Sequence, residues 1–253
     1  MSLPLRKMIL EVCTASLEDC LIAQAGGADR VELNTALALG GLTPSLGLLR
    51  EARQELHIPI IVMIRPRPAG FCYNASEFTL MQHEVEIALA EGAEGIAFGI
   101  LHDDGQIDRL RCAEIARQAD GKEIVFHRAF DVTPEPLLAL EQLIELGVTR
   151  VLTSGQESSA FNGAANIARY IEQSAGRIEI LPAGGITPLT LAAILARTGC
   201  NQVHASLTMT KYDSSTRARP QIRFASATSS VEEHYQVTNI EAVRALRAYL
   251  QNM

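Results

Sequence analysis

Four glycines, each placed four residues ahead of an apolar residue, constrain this sequence more than any other feature. The pairs are Gly27 with Val31, Gly92 with Ile96, Gly147 with Val151, and Gly199 with Val203. A helical pattern, EVEIALAEG for example, precedes each glycine, and glycine at a helix end accepts left-handed backbone angles without steric cost. Short runs rich in Val, Ile and Phe follow, as is typical of buried parallel strands. The repeat therefore predicts alternating helices and strands.

Four further strand-like runs lie between these four, which gives the eight strands of a barrel. The predicted strands are 8–13, 30–34, 59–66, 95–101, 123–129, 150–154, 178–184 and 202–206. Right-handed βαβ crossovers place each helix outside a parallel sheet, and eight units in about 250 residues suit a (β/α)8 TIM barrel. An open doubly wound sheet would need a glycine loop after the first strand, and LEVCTAS contains no glycine.

The predicted domain organisation is one barrel domain over residues 1–253. One segment does not follow the alternation of helices and strands. Residues 207–238 are predicted to form a long polar loop between the eighth strand and a last helix at 239–250. Loops of this length are uncommon in compact domains and tend to be functional or mobile.

Composition and charge exclude several classes of protein. The 253 residues carry a formal net charge of -7, which disfavours binding to phosphate backbones. No apolar run reaches the roughly 18–20 residues of a membrane span, and the apolar run of MSLPLRKMILEVC is too short for a signal peptide. The five scattered cysteines predict free thiols in a reducing compartment. We therefore expect a cytoplasmic protein with neither a nucleic-acid nor a membrane partner.

Polar side chains are predicted to gather at the carboxyl ends of the strands, where TIM barrels place their active sites. The candidate catalytic residues are Glu11, Glu32, His127 and His204. Paired carboxylates can act as general acid and base, and histidines titrate near neutral pH. The candidate substrate-binding residues are Arg65, Arg67, Arg128, Asp131, Ser154, Gly184, Gly185 and Ser206. Guanidinium groups suit carboxylates and phosphates, and glycines let backbone amides approach a ligand, so a small anionic ligand is expected.

The same charged residues have an alternative interpretation. Buried charges must be paired, so they could form an ion-pair layer that plugs the barrel. Strand alternation turns Arg65 inward together with Met63, and we expect it beside Glu11 or Glu32.

The cysteines form no local copper-binding motif. Cys13 ends the first predicted strand and Cys72 follows the third, whereas Cys20 and Cys112 fall within predicted helices. Cu(I) prefers thiolate and thioether ligands, but no CxxC, MxCxxC or histidine-rich tract occurs. The spacing therefore predicts no metal ligand and weak or no stoichiometric Cu(I) binding. If Cu(I) binds, Cys13 is the best candidate, and a site assembled in space would draw on Cys72 or Met209.

Several motifs between residues 8 and 250 resemble those of a known family. They are LEVC (10–13), GGADRVELN (26–34), GGLTPS (40–45), MIRPRPAGFCY (63–73), DGQIDRL (104–110), FHRAFD (126–131), RVLTSG (150–155), AGGI (183–186) and QVHAS (202–206). Together they resemble the bacterial CutC proteins of copper homeostasis. The resemblance implies a (β/α)8 barrel, a cytoplasmic location, a homo-oligomer with a dimer favoured, and copper as the ion handled. No motif for an organic cofactor occurs.

Two positions depart from the pattern of this family. The third loop reads RPRPAGF where RPRGGDF is usual, so this chain lacks the aspartate there. Gln156 follows RVLTSG where a glycine is usual, and we expect it to narrow the pocket. Two functions stay open on the sequence: copper homeostasis with copper binding, or a barrel enzyme acting on a phosphate- or carboxylate-bearing small molecule.

Overall fold

Eight parallel strands form a nearly closed barrel in the computed structural model, which describes residues 8–222, 224 and 233–252. The strands are β1 Ile9–Thr14, β2 Arg30–Leu33, β3 Ile60–Met63, β4 Gly95–Phe98, β5 Glu123–Phe126, β6 Arg150–Thr153, β7 Glu179–Pro182 and β8 Gln202–Ala205. Their order is β7-β6-β5-β4-β3-β2-β1-β8. Between β7 and β8, Gln202 Nε2 donates to Glu179 Oε2 at 3.2 Å. The prediction of a single-domain (β/α)8 barrel is confirmed.

Eight α-helices surround the barrel in the described part of the chain. They are α1 Leu17–Ala25, α2 Leu46–Glu55, α3 Ala75–Ala90, α4 Arg109–Gln118, α5 Pro136–Glu145, α6 Ala164–Ser174, α7 Leu191–Thr198 and α8 Ile240–Gln251. The four glycines of the repeat have φ values of 91°, 90°, 75° and 66° in chain order. Each therefore adopts the left-handed conformation that ends a helix ahead of a strand. None of these helices is both long and apolar enough to cross a membrane.

The barrel interior is divided into an apolar and a polar sector. Strands β3 to β7 supply a small apolar cluster: Ile61, Met63, Ala97, Val125, Leu152, Leu181 and Ala183. Strands β8, β1 and β2 instead turn buried His204, Glu11 and Glu32 inward. The larger apolar cluster packs the outer faces of the strands against the helices, with Leu10 and Val12 as examples from β1. Strand alternation thus separates the structural core from an interior wall that carries charge.

An ion-pair layer closes the opposite end of the barrel, at the amino ends of the strands. Buried Arg150 donates from Nε to Glu179 Oε2 at 2.8 Å, and its Nη2 lies 2.5 Å from Glu123 Oε2. Arg30 Nη2 donates to Gln202 Oε1 at 3.3 Å. This layer differs from the plug weighed as an alternative, which concerned the charged residues at the carboxyl ends of the strands. Of those residues, Glu11 contacts the layer by accepting from Arg30 Nε.

The segment predicted as one long loop contains a two-stranded antiparallel sheet. β9 Thr208–Tyr212 pairs with β10 His234–Thr238, and Thr238 N–H donates to Asp19 Oδ1 at 2.6 Å. The paired positions are far apart in sequence, so local pattern gives no sign of the partner strand. Residues 223 and 225–232, in the middle of the predicted loop, lie outside the described residues.

Candidate functional site

The carboxyl ends of the strands enclose a cavity of about 340 Å³. Its lining consists of Cys13, Glu32, Asn34, Leu37, Gly40, Met63, Arg65, Phe71, His127, Arg128, Asp131, Val132, Leu152 and His204. Among the sequence candidates, the structure thus brings together Glu32, Arg65, His127, Arg128, Asp131 and His204. A cavity of this volume that combines apolar walls with convergent polar groups is typical of a small-ligand site.

Glu11 lies just behind this lining and holds His204 in place. Glu11 Oε1 is 2.7 Å from His204 Nδ1, and Glu11 Oε2 accepts from Arg30 Nε. Burial raises the pKa of Glu11, but Arg30 and the His204 hydrogen bond outweigh burial and hold the pKa well below its usual range. Burial lowers the pKa of His204, but Glu32 and Glu11 raise it above its ordinary value. Glu11 therefore orients the imidazole, with Nε2 directed away from it.

Cys13, Glu32 and His204 form a compact donor set that can hold a metal ion. Each offers one ligand atom, and these atoms lie within 4.8 Å of one another. Glu32 Oε2 is 3.8 Å from Cys13 Sγ and 3.9 Å from His204 Nε2. Asn34 Nδ2 donates to Glu32 Oε2 at 2.9 Å and positions that carboxylate. The three donors come from β1, β2 and β8, which are neighbours in the barrel.

Burial and mutual repulsion favour the protonated forms of two members of this set. Burial raises the pKa of the Cys13 thiol, and the Glu32 and Glu11 carboxylates raise it further. Burial also raises the pKa of Glu32, as does Glu11. A bound cation would relieve this repulsion and replace the proton on sulfur, since metal ions bind the thiolate.

His127 presents a neutral ring nitrogen immediately after β5, the strand opposite β1 in the barrel. Its Nδ1 accepts from Ala129 N–H at 3.1 Å, so the neutral ring carries its proton on Nε2. Burial, with the nearby charge of Arg65, lowers the pKa of His127 to about 3. Nε2 is buried and has no hydrogen-bond partner in the described part of the chain. A Cβ at Gly99 would lie 2.5 Å from the ring, so only glycine leaves room for it.

Arg65 reaches the cavity, but it does not pair with Glu11 or Glu32 as predicted. Its guanidinium donates to the backbone carbonyls of Leu39 at 3.2 Å, Gly41 at 3.0 Å and Ala69 at 2.8 Å. These bonds tie together the loops that follow β2 and β3. Backbone carbonyls carry no formal charge, so the positive charge of this buried arginine is not neutralised by them.

Arg128, Asp131 and Ser154 form one hydrogen-bonded cluster at the cavity rim. Arg128 Nε donates to Asp131 Oδ2 at 2.8 Å, and Arg128 Nη2 donates to Ser154 Oγ at 2.8 Å. Asp131 also accepts from Ser154 N–H at 3.0 Å. Gly184 packs against this cluster, because a Cβ there would lie 3.4 Å from Ser154 Cβ. Ser154 and Gly184 thus support the rim from behind.

Five predicted binding residues lie outside the cavity lining: Ser154 and Gly184, which lie behind the rim, and Arg67, Gly185 and Ser206. Arg67 donates from Nε to Glu77 Oε1 at 2.5 Å and stacks over Tyr73. Ser206 lines a separate cavity beside β9 and β10. Gly185 follows Gly184 with φ 70° and faces Ser159 instead. These positions follow the strand ends, where loop geometry and not strand alternation decides the direction of a side chain.

The other residues selected from the sequence also point away from the cavity. Gln156 does not narrow it, because Gln156 Nε2 donates to Thr133 O at 2.5 Å. Cys72 is exposed in a separate surface cavity with Arg67, and Met209 is half-exposed on β9. Neither belongs to the donor set of Cys13.

Several lining residues were not selected from the sequence. Asn34 lies two residues after Glu32, and its inward direction follows from strand alternation. Phe71 sits in the loop after β3, where its ring is 5.0 Å from the His127 ring and 5.3 Å from Arg65 Cζ. Hydrophobic periodicity does not predict where an aromatic side chain in a loop will point. The only sign in the sequence that Phe71 faces the cavity is that a large apolar residue stands in a polar loop.

The fold and cavity define a class of protein, a single-domain (β/α)8 barrel with a cavity at the carboxyl ends of its strands. The chain belongs to the CutC family, because the model of that family matches residues 8–209. A CutC family protein of Treponema denticola is 43% identical over 237 residues, which cover 94% of this chain and 96% of that protein.

Further comparisons agree with this assignment. A human protein named copper homeostasis protein cutC homolog is 40% identical over 245 residues, covering 97% of this chain and 90% of that one. A solved CutC structure from Streptococcus agalactiae has a TM-score of 0.75 at 34% identity and covers 78% of this chain and 97% of its own. Thiamine phosphate pyrophosphorylase from Pyrococcus furiosus, at TM-score 0.58 and 15% identity, shares the fold alone. The resemblance read from the motifs is confirmed.

Proposed function

We propose that this CutC family protein serves copper homeostasis by binding a copper ion at Cys13, Glu32 and His204. The observation that carries the proposal is the convergence of these three donor atoms within 4.8 Å at the cavity wall. The names of the human relative and of the solved Streptococcus agalactiae structure both concern copper homeostasis and support the same ion. The proposal departs from the sequence-based expectation of weak or no binding, which rested on the absence of a local copper-binding motif.

The chemistry of the donor set fits copper. Thiolate sulfur is a soft ligand that suits Cu(I), and imidazole nitrogen also binds copper. His204 Nδ1 is held by Glu11, which leaves Nε2 for the ion. A carboxylate behind a metal-bound histidine fixes the ring and raises its basicity. Asn34 holds the Glu32 carboxylate in the same way. The cavity gives the ion a route of entry and exit.

Replacing Cys13 with serine should lower Cu(I) affinity by more than about a hundredfold, beyond the 10- to 100-fold typical of losing an outer-shell partner. Serine keeps the shape of the side chain but removes the soft sulfur. Affinity is measured by competition with a Cu(I) chelator under reducing conditions. Cys72→Ser is the matched control, because this thiol is exposed and belongs to another cavity. The proposal fails if the parent protein does not compete for Cu(I), or if Cys13→Ser competes equally well.

We further propose that the protein works in the cytoplasm as a homodimer. All five cysteines are free, and four of them are buried, which suits a reducing compartment. The CutC resemblance supports the dimer. Light scattering on the purified chain is expected to give twice its 27.4 kDa mass, and a monomeric mass at micromolar concentration would contradict the dimer.

A further inference from the structure

The wall of the cavity formed by β3, β5 and their loops carries polar groups that copper binding does not use. His127, Arg65 and Arg128 all line the same space as the donor set, but they follow β3 and β5, on the other side of the barrel. A guanidinium or a protonated imidazole nitrogen offers no lone pair to a metal ion. These three residues are all hydrogen-bond donors toward a ligand, so their chemistry points to an anion.

The His127 side chain is a buried donor without an acceptor. It is 4% exposed, and its Nε2 has no hydrogen-bond partner in the described ranges. Because Ala129 N–H occupies Nδ1, the ring cannot turn its proton to the other nitrogen without losing that bond. An unpaired buried donor costs free energy, and a ligand that accepts the hydrogen bond recovers it. The acceptor would lie in the cavity that the ring lines.

Arg65 and Arg128 supply the positive charge. Arg65 is buried and held by three carbonyl groups, none of which cancels its charge. Arg128 is paired with Asp131, yet its side chain stays 45% exposed at the rim. The carboxylate of Asp131 is further satisfied by Ser154 N–H and Thr153 Oγ1. A single negative charge in the cavity therefore meets a net positive field on this wall.

The remaining walls favour an anion with an apolar body. Leu37, Met63, Phe71, Val132 and Leu152 line the cavity between the charged groups. Phosphate sites in barrels of this fold instead use backbone amides of the loops after β7 and β8. Gly184, Gly185 and Ser206 belong to those loops, and none of them lines the cavity. The donors that line the cavity belong to a few side chains, His127, Arg65 and Arg128. A small number of side-chain donors suits a carboxylate, which carries a single negative charge.

We propose that the cavity binds a small carboxylic acid with an apolar body, whose carboxylate accepts the Nε2–H of His127 and faces Arg65 and Arg128. This site goes beyond copper homeostasis and does not require a bound ion. It also gives the small-anion function left open by the sequence a defined ligand class, with carboxylate in place of phosphate.

Calorimetric titration of the full chain without added copper tests the proposal. Hexanoate and benzoate are the acid probes, 1-hexanol is the uncharged match to hexanoate, and inorganic phosphate is the competing anion. At least one acid should bind, hexanol should bind at least about tenfold more weakly, and phosphate should not displace the acid. His127→Asn should weaken acid binding about tenfold or more, the range expected for a hydrogen bond to a charged group. Asparagine retains an acceptor for Ala129 N–H but its amide does not reach the position of Nε2.

A second variant and two controls keep the test decisive. Arg128→Met removes a rim charge and should weaken acid binding but leave hexanol binding unchanged, even if His127→Asn fails to fold. His57→Asn and Arg67→Met are matched controls, because neither side chain lines the cavity. Four results would overturn the proposal: neither acid binds, hexanol binds as well as hexanoate, phosphate displaces the acid, or every folded variant binds like the parent.

Discussion

Replacing Glu11 with glutamine should lower the free energy of unfolding by about 3–5 kcal/mol, the usual cost of removing one partner from a buried ion pair. Glu11 and Arg30 are both buried, and His204 shares the same carboxylate. Glutamine preserves the shape but removes the negative charge, so the Arg30 guanidinium would be left in a medium of low polarity without the carboxylate that pairs with it. Urea denaturation at pH 7.5 measures the loss.

A surface pair gives the control for this prediction. Glu141 accepts from Arg177 with similar geometry but is exposed to water, so Glu141→Gln should leave the stability nearly unchanged. Combining Glu11→Met with Arg30→Met should recover part of the loss, because paired removal leaves fewer uncompensated charges. A loss below about 1 kcal/mol for Glu11→Gln would contradict a structural role for this ion pair.

His127 should make the protein less stable in acid by about 3 kcal/mol between pH 7.5 and pH 4. Its pKa in the folded state is about 3, whereas an unfolded histidine titrates near 6.5. Below pH 6.5 the unfolded chain binds a proton at His127 that the folded chain does not bind. The contribution of His127 to stability is therefore present above this pH and is lost as the pH falls. The free energy of unfolding falls in proportion to the number of extra protons that the unfolded chain binds.

Comparison with a variant isolates this contribution from other titrating groups. His127→Asn cannot take up the proton, so the stability advantage of the parent over the variant should shrink by about 3 kcal/mol across this range. His57→Asn replaces an exposed histidine and is the matched control, measured over the same pH range. Urea denaturation at half-unit pH steps provides both curves. A parallel pair of curves for parent and His127→Asn would show that the ring is protonated in the folded state.

The glycine repeat was sufficient to predict the alternation of helices and strands, because its cause is local. A glycine with positive φ ends a helix, and the apolar residue four positions later begins a buried strand, whatever the rest of the chain does. All four glycines adopt this conformation. Strand alternation is equally local, and it correctly turned Glu11 and Cys13 to one side of β1. The antiparallel pair of β9 and β10 was not predictable in this way, since its partners are distant in sequence.

The side-chain directions of loop residues at the site could not be predicted from the local sequence. Arg65 lies two residues after the end of β3 and reaches the cavity, whereas Arg67, two residues later, turns outward to Glu77. The kink of the loop, not the alternation of the strand, decides that difference. Phe71 returns to the cavity from the same loop because its ring packs on His127. Such directions depend on which side chains meet after folding.

The sequence by itself determined the barrel, the family and the set of polar residues at the strand ends, because each depends on short-range pattern. Only the tertiary structure decided what those residues can do. Glu11 and His204 are 193 positions apart, and closure of the barrel places their atoms 2.7 Å from each other. The same closure brings Cys13 to Glu32 and buries His127 against Gly99. Donor geometry, protonation and hydrogen-bond direction arise from these long-range contacts, which no local pattern encodes.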